Sequence, residues 1–223
     1  MRLFVTPFAV LRALFSIGRV RHVLGTLTLV ITVAAAAQDA TKPRLPLVDP
    51  FTQDPVLRPL FDGMRSRGLE PLNIHRTIGH APELYKAFAG LATALRFSGV
   101  TPRVDRELMI LRTTQLKEGE YEFAHHKRIG LTCGLSEAQI DSLPSWRRTS
   151  IFNERQRAIL EYAERMVQAA EVDDVTFATM QRLFSPQEIV ELTLTSGFYV
   201  GVAQFSRALR IEMDKSPTSY ANC

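Results

Sequence analysis

The sequence predicts an all-α domain, and three observations carry the prediction. Helix starts are written repeatedly into the chain: Ser136 with Gln139, Asn153, and Ser185 with Pro186 and Glu188 are capping residues at the right offsets. Val190, Leu194, Phe198 and Val202 recur at four-residue spacing in the last segment, which reads as a buried helical stripe. No segment shows the apolar–polar alternation of a half-buried strand.

Taken in order, residues 38–50 (QDATKPRLPLVDP) are polar and proline-bearing, an extended lead-in to a single helical domain over residues 51–214. DPVLRPLFDGMRSRG gives a first helix that stops near Gly68. APELYKAFAGLATALRFSG opens with proline in its first turn and ends at Gly99. TPRVDRELMILRTTQLKEG places Thr101 at the cap and Pro102 at the first helical position. The next helix follows Gly119 and runs to Gly134, and LSEAQI starts a short one. NERQRAILEYAERMVQAAE is capped by Asn153, DVTFATMQRLF follows Asp173, and Ser185 opens the longest helix.

At 223 residues and 46% hydrophobic side chains, the chain has material for one ordinary core. Its formal charge of +4 belongs to the N-terminus. Arg2, Arg12, Arg19 and Arg21 lie in the first 37 residues, which hold no Asp or Glu, and the remaining 23 basic and 23 acidic side chains balance. No basic patch argues for a nucleic-acid partner. Arg19 and Arg21 precede VLGTLTLVITVAAAA, an apolar run of 15 residues in which Ala35 and Ala37 fit an A-x-A cleavage site. A membrane span needs about 20 residues. Residues 1–37 therefore read as a signal peptide for a periplasmic or secreted protein; the alternative is an uncleaved N-terminal anchor, because residues 3–17 are also apolar. In such a compartment Cys133 and Cys223 could pair. The sequence favours one buried helical cysteine and one loose tail cysteine, since nothing in it brings the tail near Cys133.

The densest chemistry is EGEYEFAHHKRIG, residues 118–130. On a helical wheel Glu122, His126, Ile129 and Cys133 share one narrow stripe, whereas Glu120, Lys127 and Arg128 point elsewhere. A carboxylate and an imidazole one turn apart in an apolar stripe are costly to bury unless paired. Such a pair is suited to proton transfer near neutral pH. Glu107 also lies on a mostly apolar face of the preceding helix, and two helices joined by a tight turn pack antiparallel, so Glu107 is expected to face the pair. The competing structural reading pairs Glu107 with Arg103. His75 and His80 read as structural rather than catalytic, with lining of the pocket left open for His75, and Trp146, in a loop after Pro144, reads as a packing residue or subunit contact.

The span DRELMILRTTQLKEGEYEFAHHKRIGLTCGLSEAQI, with NIHRTIGHAPEL before it, resembles the carboxymuconolactone decarboxylase family, which shares its fold with AhpD-type alkylhydroperoxidases. The AhpD-like pattern is a glutamate, a Cys-x-x-Cys beginning twelve positions on, and a histidine four positions after the second cysteine. Here the glutamate is Glu107 and the histidine is His126, but Gly119 and Glu122 stand at the cysteine positions. Thiol-peroxidase chemistry needs both thiols. The Glu122–His126 spacing instead looks like the Glu-x-x-x-His of the decarboxylase branch. The resemblance implies a homotrimer or homohexamer with sites near subunit interfaces, no organic cofactor and no metal, and a small organic acid or lactone as substrate. It implies His126 as proton donor or electrostatic stabiliser, Glu122 to orient it and Glu107 to relay protons. Tyr121 and His125 are the weaker, substrate-binding candidates. Glu122-x-x-His125 has the spacing of a di-iron carboxylate motif, but the chain has a single copy and those sites need two. A helical oligomer that binds an apolar ligand without turning it over is the non-enzymatic alternative.

Overall fold

The computed structural model describes residues 42–169, 171–215 and 223. The signal or anchor reading of residues 1–37 lies outside them. The helices are α1 (Leu57–Arg65), α2 (Asn73–Ile78), α3 (Pro82–Phe97), α4 (Arg103–Leu116), α5 (Glu120–Thr132), α6 (Glu137–Ser142), a 3₁₀ turn (Leu143–Arg148), α7 (Glu154–Gln168), α8 (Asp174–Leu183) and α9 (Pro186–Leu209). Among the described residues there is no strand, and no helix is long and apolar enough to cross a membrane.

Helix α4 is the axis of the fold. Every residue from Asp105 to Thr114 is buried, and α5, α7 and α9 pack around it. A helix surrounded on all sides must bury its polar side chains with partners. Asp105 accepts from Arg155 Nε at 2.7 Å, Thr113 meets Ser196 at 3.1 Å, and Arg112 reaches the Leu143 carbonyl at 3.0 Å and the Glu164 carboxylate. The apolar residues between them, Leu108, Met109 and Leu111, join Leu143, Ile159, Leu160 and Leu192 in the main core. The capping boxes at Ser136, Asn153 and Ser185 form as the sequence predicts, and Gly134 leaves α5 with φ +105°.

Four expectations are corrected. Thr101 does not cap α4; Pro102 takes that place and Arg103 starts the helix. The Thr101 hydroxyl donates instead to Glu191 of α9 at 2.6 Å, and the Thr101 and Val100 amides bind the same carboxylate. A charged acceptor from a distant helix outcompetes the local cap. The α9 stripe is buried only at its C-terminal end: Val202 is buried, but Val190 is 56% and Leu194 53% exposed. Their half of α9 faces outward, because the opposite face, with Ile189, Leu192 and Ser196, takes the contact with α4 and α7. Finally, Cys133 and Cys223 form a disulfide, which returns the C-terminus to the end of α5. Trp146, expected in a loop, sits buried in the 3₁₀ turn and donates its indole N–H to Glu164 at 2.8 Å.

Candidate active site

The tight turn between α4 and α5 folds the two helices against each other and brings Glu107, Glu122 and His126 together. All three are buried, with 0%, 6% and 4% exposure. His126 Nδ1 lies 2.6 Å from Glu107 Oε2. A carboxylate accepts, so Nδ1 carries the proton and Nε2 is left for the opposite side. There it faces Glu122 Oε2 at 4.0 Å, beyond hydrogen-bond reach. Sequence reasoning expected Glu122 to orient His126; the short bond belongs to Glu107. The alternative partner expected for Glu107 is present as well. Its other oxygen pairs with Arg103 at 2.6 Å, so one carboxylate anchors both groups.

The two carboxyls are tuned in opposite directions. Burial would raise Glu107, but the His126 imidazole and the Arg103 guanidinium outweigh it and hold the acid below its usual range. Glu122 is raised, chiefly by burial, with His126, His125 and Arg96 opposing. Its nearest hydrogen-bonding group is the Ser206 hydroxyl at 3.5 Å. Above the ordinary Glu122 pKa of 4.5 the unfolded chain has lost a proton that the folded chain still holds, so stability falls as pH rises through that window. Glu122→Gln is therefore expected to raise Tm relative to wild type at about pH 8 and to have little effect at about pH 4. Thermal unfolding at both pH values checks this; a lower Tm for the variant at the higher pH would show that the charge is fully compensated.

An inner chamber of about 60 Å³ opens beside these groups, walled by Glu122, His126, Tyr199 and Arg96 among others. Tyr199 sets its ring edge-on to His126, with centroids 4.8 Å apart. Its phenol is raised by burial, so it is a neutral hydroxyl. Tyr121 and His125 also line the chamber, but their polar atoms turn to Asp214, which accepts from Tyr121 at 2.5 Å and lies 3.0 Å from His125 Nε2. Arg128 donates to His125 Nδ1 at 3.1 Å, which fixes the Nε2–H tautomer. Asp214 also takes the Asn73 amide at 2.7 Å, so this network ties the C-terminal segment to the start of α2.

His75 has two positions at once. Its Nδ1 accepts from the Leu72 amide at 3.2 Å, and its ring lines the chamber. Burial and then Arg96 push its pKa down to about 3, so it is neutral. His80 is structural, bonded to the Pro46 carbonyl at 2.7 Å. Among the described residues no three His, Cys, Asp or Glu side chains are grouped to hold a metal.

Sequence reasoning missed Tyr199, Ser206, Arg96 and Asp214. Tyr199 and Ser206 lie seven residues apart on one face of α9, and that pair of hydroxyls was the available signal. Arg96 gave none: a cation in the last turn of a helix reads as a partner for its dipole.

The cysteine positions of the AhpD-like pattern differ in more than the thiol. Gly119 lies against α9, and a Cβ built on it would stand 2.6 Å from Ala203 Cβ. With Glu122 at the second position and both cysteines in the disulfide, no free thiol is present.

Residues 82–165 match the model of the Carboxymuconolactone decarboxylase family. No curated protein matches the chain significantly. Among solved structures, it is similar to a protein of unknown function from Agrobacterium tumefaciens, at 25% identity over 63% of this chain and 97% of that one, TM-score 0.58. An uncharacterized peroxidase-related protein from Ralstonia eutropha with an alkylhydroperoxidase AhpD core superposes over 78% of this chain and 93% of its own, TM-score 0.67, at 18% identity. The debrominase Bmp8, in complex with 2,3,4-tribromopyrrole, does so over 79% and 96%, TM-score 0.65, at 20% identity. The match to the carboxymuconolactone decarboxylase family model thus covers residues 82–165, and the described residues adopt an all-helical fold similar to that of AhpD-like proteins.

Proposed function

We propose that the protein is an acid–base enzyme that decarboxylates a small organic acid or lactone, or carries out a related lyase or isomerase step. One observation carries the reading: a buried histidine is anchored through Nδ1 by one carboxylate and turns Nε2 toward a second, loosely held carboxyl at a small chamber. In this reading Glu107 fixes the ring and balances charge that develops on it. His126 Nε2 and Glu122 move the proton. In a decarboxylation the bond from carbon to the carboxylate breaks and carbon dioxide leaves. The electron pair passes into the conjugated lactone carbonyl, and the proton held by Glu122 closes the carbon, directly or relayed through Nε2. Tyr199 O–H is a candidate donor to the carbonyl oxygen. The test is a screen of unsaturated lactone acids and organic hydroperoxides against wild type and His126→Ala. Loss of lactone-acid turnover in the variant supports the reading; hydroperoxide reduction unaffected by the variant would replace it. The peroxidase alternative lacks both thiols of its pattern.

We also propose that the protein is exported and self-associates, as a trimer or hexamer. The Cys133–Cys223 bond is of a kind that persists in oxidising compartments. Leu84 and Leu91 of α3 and Val190 and Leu194 of α9 are exposed, and an apolar groove joins the two helices at Leu84, Gly197 and Gly201. Sedimentation velocity is expected to give an oligomer that dissociates in Leu194→Glu; a wild-type monomer at micromolar concentration would refute it.

A further inference from the structure

Outside the inner chamber lies a larger cavity of about 450 Å³. Its apolar wall includes Met64, Phe88 and Phe97, its polar wall includes Arg67, His75 and Arg96, and no Asp or Glu lines it. The two cavities share His75, Phe88, Ala92 and Arg96, so the larger one is an antechamber and Arg96 stands at the neck.

Arg96 is half-buried, on the last turn of α3. Among the described residues its side chain makes one hydrogen bond, from Nε to the Ala92 carbonyl at 3.1 Å, and no carboxylate lies within ion-pair distance. Both terminal nitrogens are thus uncommitted. Arg103 and Arg155, also half-buried, each hold a carboxylate, and Arg76 and Arg157 are spent on backbone carbonyls. The charge is felt inside the chamber, where Arg96 lowers the pKa of Glu122, His75 and Tyr199. His75 beside it is neutral and adds no competing cation.

We propose that Arg96 is the specificity residue that binds a carboxylate at this neck, and that the ligand is an organic carboxylate whose flat apolar body lies on Phe88, Phe97 and Met64. The guanidinium fork suits a carboxylate, and an apolar cavity with one placed charge orients such a ligand. Arg67, exposed at the rim, adds attraction without fixing geometry. A carboxylate paired with Arg96 is stabilised in the ground state, so it serves as a handle rather than as the leaving group. The reacting group is then a second one, presented to His126; that last step rests on the acid–base reading, and the binding itself does not.

The experiment is calorimetric titration of the full chain with cinnamate and with its neutral amide, cinnamamide, for wild type, Arg96→Gln, Arg96→Lys, Arg67→Gln and His126→Ala. Wild type is expected to bind the acid at least about tenfold more tightly than the amide, the scale of one charge-assisted pair. Arg96→Gln should bring the two ligands within about twofold, Arg96→Lys should keep part of the preference, and Arg67→Gln should change it less than Arg96→Gln. Equal binding of acid and amide by wild type, binding of neither, or a preference that survives Arg96→Gln overturns the proposal. The acid–amide comparison on wild type decides the matter even if a variant fails to fold. His126→Ala should bind cinnamate like wild type. If its preference persists while its turnover is also unchanged, the acid–base reading fails and the anion site stands; a dead His126→Ala beside an unselective wild type gives the converse.

Discussion

Replacing His126 by alanine is expected to lower turnover by roughly 10²–10⁴-fold, the range for a positioned acid–base group, with little change in KM. Glu107 takes the Nδ1 proton at 2.6 Å, so Nε2 is the atom left to exchange a proton with whatever enters the chamber. Alanine removes that atom and leaves Glu107 still paired with Arg103, so the far-UV circular dichroism should remain that of a helical protein. His126→Gln restores a hydrogen-bonding side chain but no titrating nitrogen. It should be as inactive as alanine if proton transfer is the role, and partly active if the ring only positions the substrate. An active, folded His126→Ala would remove His126 from the mechanism.

Glu107→Ala is expected to have the largest effect on stability, a loss of roughly 3–5 kcal/mol. The side chain is fully buried, and its removal strands the guanidinium of Arg103 and the His126 N–H beside a cavity. Glu107→Gln keeps the shape and should cost less. The pH dependence follows from the lowered pKa: burial raises it, but His126 and Arg103 lower it further. Glu107 thus adds stability above its unfolded pKa, and the contribution is lost as pH falls through the folded value. Wild type and Glu107→Gln should therefore converge in acid and diverge toward neutral pH. Urea unfolding across that range measures it, and a gap that widens in acid would contradict the assignment.

The sequence carried the parts of this site that lie on two consecutive helices. Glu107, Glu122 and His126 obey helical spacing, and a short turn leaves little choice about how their helices pack. Glu122 and Glu107 could not be told apart that way, because which carboxyl meets Nδ1 depends on side-chain reach across the α4–α5 interface. Tyr199, Arg96 and Asp214 come from segments whose approach is set by the whole core. The same distance dependence explains Thr101, whose local signature as a cap was sound until Glu191 arrived from α9. Val190 and Leu194 have the spacing of a core stripe, and periodicity cannot distinguish a face that packs within the chain from one that stays outside. The cysteine pair was illegible for the reason given by its sequence separation of 90 residues.

The contact between Gly119 and Ala203 bears on how this scaffold could be repurposed. Grafting a Cys-x-x-Cys onto positions 119 and 122 looks like a two-codon change. The first thiol, however, would have to occupy space already filled by the side of α9, and its own Cβ would collide before any sulfur was placed. A designer would need to trim Ala203 to glycine, within a 24-residue helix that also carries Tyr199 and Ser206. A route to thiol chemistry therefore runs through at least three simultaneous substitutions, each unhelpful without the others. A protein in that position is insulated from drifting into peroxidase activity one mutation at a time.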